Sequence, residues 1–146
     1  MYSKICLLCL FAVASGAAAI AQNAEIKIQA LNGKNGKPLA NQRLVIFGGE
    51  SADAATFHRT AFEATTDERG LADLSFDPIK TSWIQVWTDG MTLCQERPNA
   101  KSFSVATILT TGLSAPNTCG SFVQGAMPGR FALFARSSTL REKMSR

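Results

Sequence analysis

The chain has 146 residues, of which 46% are hydrophobic and 18% charged, and its formal net charge is +4. This length fits one domain that buries a hydrophobic core of its own. The basic residues are scattered along the chain instead of forming the clustered stripe of a nucleic-acid-binding domain, so we expect no nucleic-acid partner.

The N-terminal segment, residues 1–21, has the three parts of a secretory signal peptide. Lys4 gives the positive start, residues 5–14 form an apolar run, and Ala19-Ile20-Ala21 has the small-x-small shape of a cleavage site. A membrane anchor is the alternative, but the run is shorter than the ~20 residues that a spanning helix needs. We expect cleavage after Ala21, a secreted or periplasmic protein, and no stable membrane insertion afterwards.

Short runs of alternating polarity, separated by turn residues, predict a β-rich fold for the remainder. In EIKIQAL, alternation places Ile26, Ile28 and Ala30 on one face of a strand. NGKNGKP is a turn cluster, QRLVIFGG is a strand with an apolar centre, and SADAATFHRTA is predicted as a longer loop.

A hairpin is predicted where FEATT and LADLSF flank Asp67-Glu68-Arg69-Gly70. Asp67 suits the start of the turn, since its carboxylate can accept a nearby backbone N–H. Gly70 suits a left-handed position at its end, where a Cβ is unfavourable and asparagine is tolerated better than valine.

The next strand, SWIQVWT, carries the candidate ligand-binding residues. Alternation places Trp83, Gln85 and Trp87 on one face and Ile84 and Val86 on the other. The aliphatic pair fits the core, so the aromatic face could stack on a sugar or grip a peptide. Alternatively, the C-terminal part of the chain or a second sheet covers both rings.

The C-terminal half is predicted to add three strands. These are MTLCQ, SFSVATILT, with Phe103, Val105, Thr107 and Leu109 on one face, and PGRFALFAR. TGLSAPNTCGS is a loop, and residues 137–146 are a polar tail. Residues 22–136 are therefore predicted to form an all-β antiparallel sandwich of about seven to eight strands, with a small open barrel as the alternative.

Only two cysteines remain after the predicted cleavage, because Cys6 and Cys9 lie in the signal peptide. Two thiols in an exported chain most often pair, so we expect a disulfide between Cys94 and Cys119. A structural zinc site usually needs four Cys or His ligands, and a redox pair more often has Cys-x-x-Cys spacing. We expect no metal and no cofactor.

Catalysis has little support in the residues. His58 is the only histidine, so it would be the only candidate base of a serine hydrolase, and the chain has no Gly-x-Ser-x-Gly motif. A metal site built from His58 with Glu50, Asp53 and Glu63 has no recognisable ligand spacing. We expect no enzyme activity, with a hydrolase as the weaker alternative.

Three segments resemble the carboxypeptidase regulatory-like, or prealbumin-like (transthyretin-like), domains of secreted and cell-surface proteins: NGKNGKPLANQRLVIFGG, ATTDERGLADLSF and SWIQVWTDG. They fall within residues 25–90, and the C-terminal part is similar to small secreted bacterial proteins of this fold. The resemblance implies an Ig-like or prealbumin-like sandwich and carries over no functional residue. The hydrolase of this architecture, 5-hydroxyisourate hydrolase, uses several histidines and a C-terminal Tyr-Arg-Gly-Ser, which this chain lacks.

The sequence thus predicts a secreted, non-catalytic binding or interaction module with an extracytoplasmic ligand or protein partner. The alternative is a structural or assembly accessory of an envelope or cell-surface protein. Exposed tryptophans would favour ligand binding, whereas an exposed edge strand with buried tryptophans would favour accessory packing.

Overall fold

The computed structural model describes residues 22–57, 60–95, 101–139 and 144. The predicted signal peptide, His58 and most of the predicted tail lie outside these residues. The described part contains strands β1 (Ala24–Asn32), β2 (Arg43–Gly49), β3 (Thr60–Thr65), β4 (Leu71–Phe76), β5 (Trp83–Thr88), β6 (Met91–Leu93), β7 (Phe103–Ser104), β8 (Leu113–Ser114) and β9 (Arg130–Ser137), and helices α1 (Ala52–Phe57) and α2 (Val105–Thr110).

The strands form two sheets. Sheet A has the order β4-β1-β9-β6, with β8 also paired to β9, and sheet B has the order β3-β2-β5-β7. The predicted β-sandwich is confirmed, with nine strands in the described residues instead of seven or eight. It is not wholly antiparallel, because β9 runs parallel to both β1 and β8.

The core lies between the sheets and is built by alternation along the longer strands. Ile26 and Ile28 of β1 pack in the same cluster as Ile46 of β2 and Ile84 of β5, and all four are fully buried. Each such side chain contributes about 1.5–3 kcal/mol by leaving water. The strand predictions succeed here because a strand whose apolar residues recur at every second position has only one apolar face to bury.

The predicted hairpin is wrong in its pairing, although its turn chemistry is present. β3 pairs with β2 in sheet B, whereas β4 pairs with β1 in sheet A, so residues 66–70 carry the chain from one sheet to the other. Gly70 is left-handed, with φ of 72°. Asp67 Oδ1 accepts the N–H groups of Arg69 and Leu71, both at 2.8 Å. The two strands therefore face each other across the core instead of lying edge to edge.

The predictions for SFSVATILT and for SADAATFHRTA are also wrong, because each segment contains a short helix. Ser104 precedes α2 and its Oγ accepts the N–H of Thr107 at 3.4 Å. Val105 and Ile108 are three residues apart and buried, a spacing that puts them on one side of a helix but on opposite faces of the predicted strand. Ser51 caps α1 in the same way, with its Oγ accepting the N–H of Ala54 at 3.0 Å.

The turn carboxylate gives a pH-dependent prediction. The backbone hydrogen bond from Leu71, together with that from Arg69 and the Arg69 charge, holds the pKa of Asp67 below its usual value. A carboxyl group with a lowered pKa stabilises the fold above its unfolded pKa, near 3.9, and loses this contribution as the pH falls through the folded pKa. Asp67→Asn keeps an oxygen acceptor but not the charge. We expect it to melt below wild type at pH 7 and the gap to close in acid.

Thermal melts across the acidic range check this prediction, with Glu68→Gln, which removes an exposed carboxylate of the same turn, as the matched control. A gap between wild type and Asp67→Asn that stays constant as the pH falls would contradict it.

Candidate functional site

The residues predicted to bind a ligand lie on the outer face of sheet B. Ile84 and Val86 face the core and are 0% and 2% exposed, so alternation directs Trp83, Gln85 and Trp87 to the opposite face. The three residues share this face, as the sequence predicts, but they do not form one open surface.

Gln85 is buried beneath α1 and is not available to a ligand. Its side chain is 4% exposed, and its Nε2 donates to Thr56 Oγ1 at 2.7 Å and to Ser102 Oγ at 3.2 Å. The helix also lies directly on β2, since a Cβ added to Gly49 would be 2.4 Å from the backbone N of Ala55. The prediction that Gln85 contacts a ligand is therefore wrong: the amide joins α1 to the sheet.

The uncovered part of this face centres on Trp87, which is 49% exposed. Trp87 is in register with Val45 of β2, and Phe47 of the same strand is in register with Ala61 of β3. Val45 and Phe47 are half-buried and Ala61 is exposed. We call these four residues the outer strip of sheet B. Trp83 lies four residues before Trp87 on β5, opposite Gly49, and is half-buried.

Charged groups border the outer strip beside Val45. Arg43 Nη2 lies 2.7 Å from Glu63 Oε1, and its Nη1 lies 3.7 Å from Asp89 Oδ2. The hydrogen bond to Glu63 and the two negative charges raise the pKa of Arg43 above its usual value. Exposed ion pairs of this kind contribute little to stability, but they fix hydrogen-bonding groups next to an exposed aromatic ring.

The outer face of sheet A is covered differently, by the loop that contains Cys119. The predicted disulfide is confirmed: Cys94 and Cys119 are bonded, with their Cα atoms 5.3 Å apart. Cys94 packs with Leu31 and Phe134 in a second small core, against which Phe122 also rests. Asn117 secures the loop, since its Nδ2 donates to the carbonyls of Gly33 at 2.8 Å and Phe122 at 2.9 Å.

A cavity of about 760 Å³ opens beside the disulfide, where β1 and β9 end. Its lining includes Lys34 and Arg136, the hydroxyl residues Thr92 and Thr118, and Gln95. Sequence reasoning missed this site. Its residues carry no shared motif, and they meet only because β9 pairs with β1 and the disulfide draws residues 94 and 119 together.

Other site types have no geometric support within the described ranges. No group of three or more His, Cys, Asp or Glu residues there could hold a metal ion. No helix of the described part is long and apolar enough to cross a membrane. His58, the one candidate base, lies outside the described residues.

Comparison with known proteins adds no functional assignment. No protein-family model matches the chain, and no curated protein sequence matches it. Among solved structures, the chain is similar to part of a 9R-lipoxygenase from Cyanothece PCC8801, with 12% identity and a TM-score of 0.36. The match covers 76% of this chain and 16% of the lipoxygenase chain. A likeness this weak carries over neither fold nor activity.

Proposed function

We propose that the protein is an exported, non-catalytic binding module that contacts its ligand through the outer strip of sheet B. One observation carries the proposal: Trp87 is 49% exposed on a strand that is hydrogen-bonded to β2. A tryptophan held on a strand offers a large contact area and loses little conformational entropy on binding.

The surroundings of Trp87 favour a ligand with one flat apolar face and polar edges, such as a sugar ring. The ring and Val45 supply apolar area, while Arg43, Glu63 and Asp89 supply charged hydrogen-bonding groups at the border. An extended peptide is the second ligand class that this face could accept.

Two features support an extracytoplasmic location. Residues 1–21 have the pattern of a signal peptide, and Cys94 and Cys119 form a disulfide, which persists mainly in oxidising compartments. We further propose that this β-sandwich belongs to the prealbumin-like class, because three segments between residues 25 and 90 resemble domains of that class.

A structural or assembly accessory is the second candidate, and the edge of sheet B favours it. β3 is the outermost strand of this sheet, and four of its six residues are exposed. An exposed edge strand can accept a strand from a partner protein. In that case the partner would contact the β3 backbone instead of Trp87.

The test is an NMR titration with β-linked oligosaccharides of glucose and of N-acetylglucosamine, and with extended peptides. We expect an oligosaccharide to shift the Trp87 indole signal, and Trp87→Ala to weaken binding at least tenfold, because interface tryptophans often dominate affinity. Ile79→Ala is the matched control, since Ile79 is 74% exposed elsewhere.

The same titration separates the two candidates. Shifts of the β3 amides with no change at the Trp87 indole, or binding that Trp87→Ala and Ile79→Ala weaken equally, would refute a ligand site at the outer strip.

A further inference from the structure

Strand β3 differs from the other strands of six or more residues because none of its residues is buried. The strands β1, β2, β4, β5 and β9 each have at least three buried residues, whereas β3 has four exposed and two half-buried residues. In the described part of the chain, β3 is hydrogen-bonded to β2 and forms the end of sheet B. Its free side therefore offers surface that a further strand could bury.

The length and composition of β3 also leave this edge open to pairing. Natural sheets protect their edges with very short strands, with lysine or with proline. The edge strands β6, β7 and β8 have only three, two and two residues, and β4, which has six, already buries every second residue. β3 has six residues and contains neither lysine nor proline. An edge of this kind suits the addition of a strand.

The sequence of β3 is self-complementary in one symmetric register. Phe62 packs against the core, so Ala61 and Glu63 lie on the outer face of sheet B. An antiparallel pair of β3 strands that keeps both cores on the same side must join residues of the same face. Its two-fold axis therefore passes through a residue. An axis at Phe62 places Ala61 of each copy opposite Glu63 of the other.

Charge and aromatic contacts favour this register over its neighbours. An axis at Glu63 would bring two carboxylates directly opposite each other, which is destabilising. Axes at Ala61 or Ala64 would pair fewer residues of β3. In the register centred on Phe62, the two phenylalanines lie opposite each other, and aromatic cross-strand pairs are stabilising. Glu63 then lies opposite alanine while its Oε1 stays 2.7 Å from Nη2 of Arg43 in its own copy.

We propose that a second copy of this chain binds at β3, through an antiparallel β3–β3 pair centred on Phe62. The two four-stranded sheets B then form one continuous sheet, with both outer strips on the same face. Trp87 takes no part in the pairing, so the inference goes beyond the proposed ligand site and stands independently of it. The second copy occupies the edge that an accessory partner would otherwise use.

Sedimentation velocity of the exported, oxidised protein from micromolar to millimolar concentration tests the proposal. We expect a monomer–dimer equilibrium, which is weak because a six-residue strand contributes a small interface. Amide hydrogen exchange above and below the midpoint should slow in β3 and stay unchanged in β7, at the other end of sheet B. A protein that is monomeric throughout, or a dimer without protection of the β3 amides, overturns the proposal.

Two substitutions of Ala61, which is exposed and therefore tolerant of change, test the register. Ala61→Glu places like charges opposite each other at two positions of the dimer, and should weaken dimerisation about tenfold. Ala61→Lys is the matched control, because it places opposite charges at the same two positions and should preserve or strengthen the dimer. Equal weakening by both variants, or no effect of Ala61→Glu, would overturn pairing centred on Phe62.

Two further arms separate this interface from other associations. Trp87 lies on β5, and β2 separates it from β3, so Trp87→Ala should leave dimerisation unchanged. Loss of the dimer in this variant would show that the copies associate through their outer strips, against the proposal. A peptide with the β3 sequence should compete with dimerisation. If a peptide of unrelated sequence pairs with β3 while the protein stays monomeric, the edge serves a different protein and the proposal fails.

Discussion

Replacing Gly70 with alanine should destabilise the fold by about 2–6 kcal/mol, which combines backbone strain of ~1–3 kcal/mol with steric overlap of ~1–3 kcal/mol. The strain arises because Gly70 has φ of 72°. The overlap arises because an added Cβ would lie 2.5 Å from the backbone oxygen of Ala30. Neither backbone can easily move away, since the N–H of Ala30 donates to the carbonyl of Gly70 at 2.8 Å.

Gly90 is the matched control for this prediction. It has nearly the same conformation, with φ of 70°, but an added Cβ would meet no atom within 4 Å. Gly90→Ala therefore isolates the left-handed backbone strain, about 1–3 kcal/mol. Chemical denaturation of both variants measures the difference, and equal free energies of unfolding would show that the Ala30 contact is unimportant.

The close approach of Gly70 to Ala30 also changes the effect expected for Gly70→Asn. From sequence alone, Gly70→Asn is expected to be milder than Gly70→Val, because asparagine tolerates positive φ. Asparagine nevertheless carries the Cβ that overlaps Ala30, so Gly70→Asn should still be clearly destabilising, whereas Gly90→Asn should be nearly neutral. The turn was predictable because its chemistry is local; the approach of β1 was not, because it depends on a partner about 40 residues away.

Strand pairing shows the same division between local and distant information. Buried apolar residues recur at every second position, as in Ile26 and Ile28 or Ile84 and Val86, and this pattern identifies both strands and their buried faces. It does not say which strands are neighbours, since any strand with one apolar face satisfies the same pattern. Thus β4 was predictable as a strand, yet its partner is β1 and not β3.

The candidate site was predictable only in part for a related reason. The two-residue alternation along β5 correctly places Trp87 on the face away from the core, but it does not reveal what covers this outer face. The cover is α1, six residues long and too short to form a stable helix alone. Its position depends on Gln85, Thr56 and Gly49 together, so Gln85 is buried while Trp87, two residues away, remains exposed.

Removing the disulfide should have the second large effect. The bond joins residues 25 positions apart, and chain-entropy arguments assign about 3 kcal/mol to closing a loop of that size. Reduction adds a local cost, because Cys94 is 1% exposed and packs with Leu31 and Phe134. We expect the oxidised protein to be more stable than the Cys94→Ala/Cys119→Ala variant by about 3 kcal/mol or more.

Denaturation with and without reductant checks this expectation. Wild type should weaken on reduction to near the level of the double variant, whereas the double variant should be insensitive to reductant. Asn117→Ala is the companion variant: it removes the donor that secures the same loop to Gly33 and Phe122 but leaves the cross-link. It should cost less than loss of the disulfide, about 1–3 kcal/mol for partly buried carbonyls left without this donor. If both cysteines of the denatured, unreduced protein react with an alkylating agent, the bond is absent, and the covering of sheet A by this loop must depend on Asn117 and Phe122 alone.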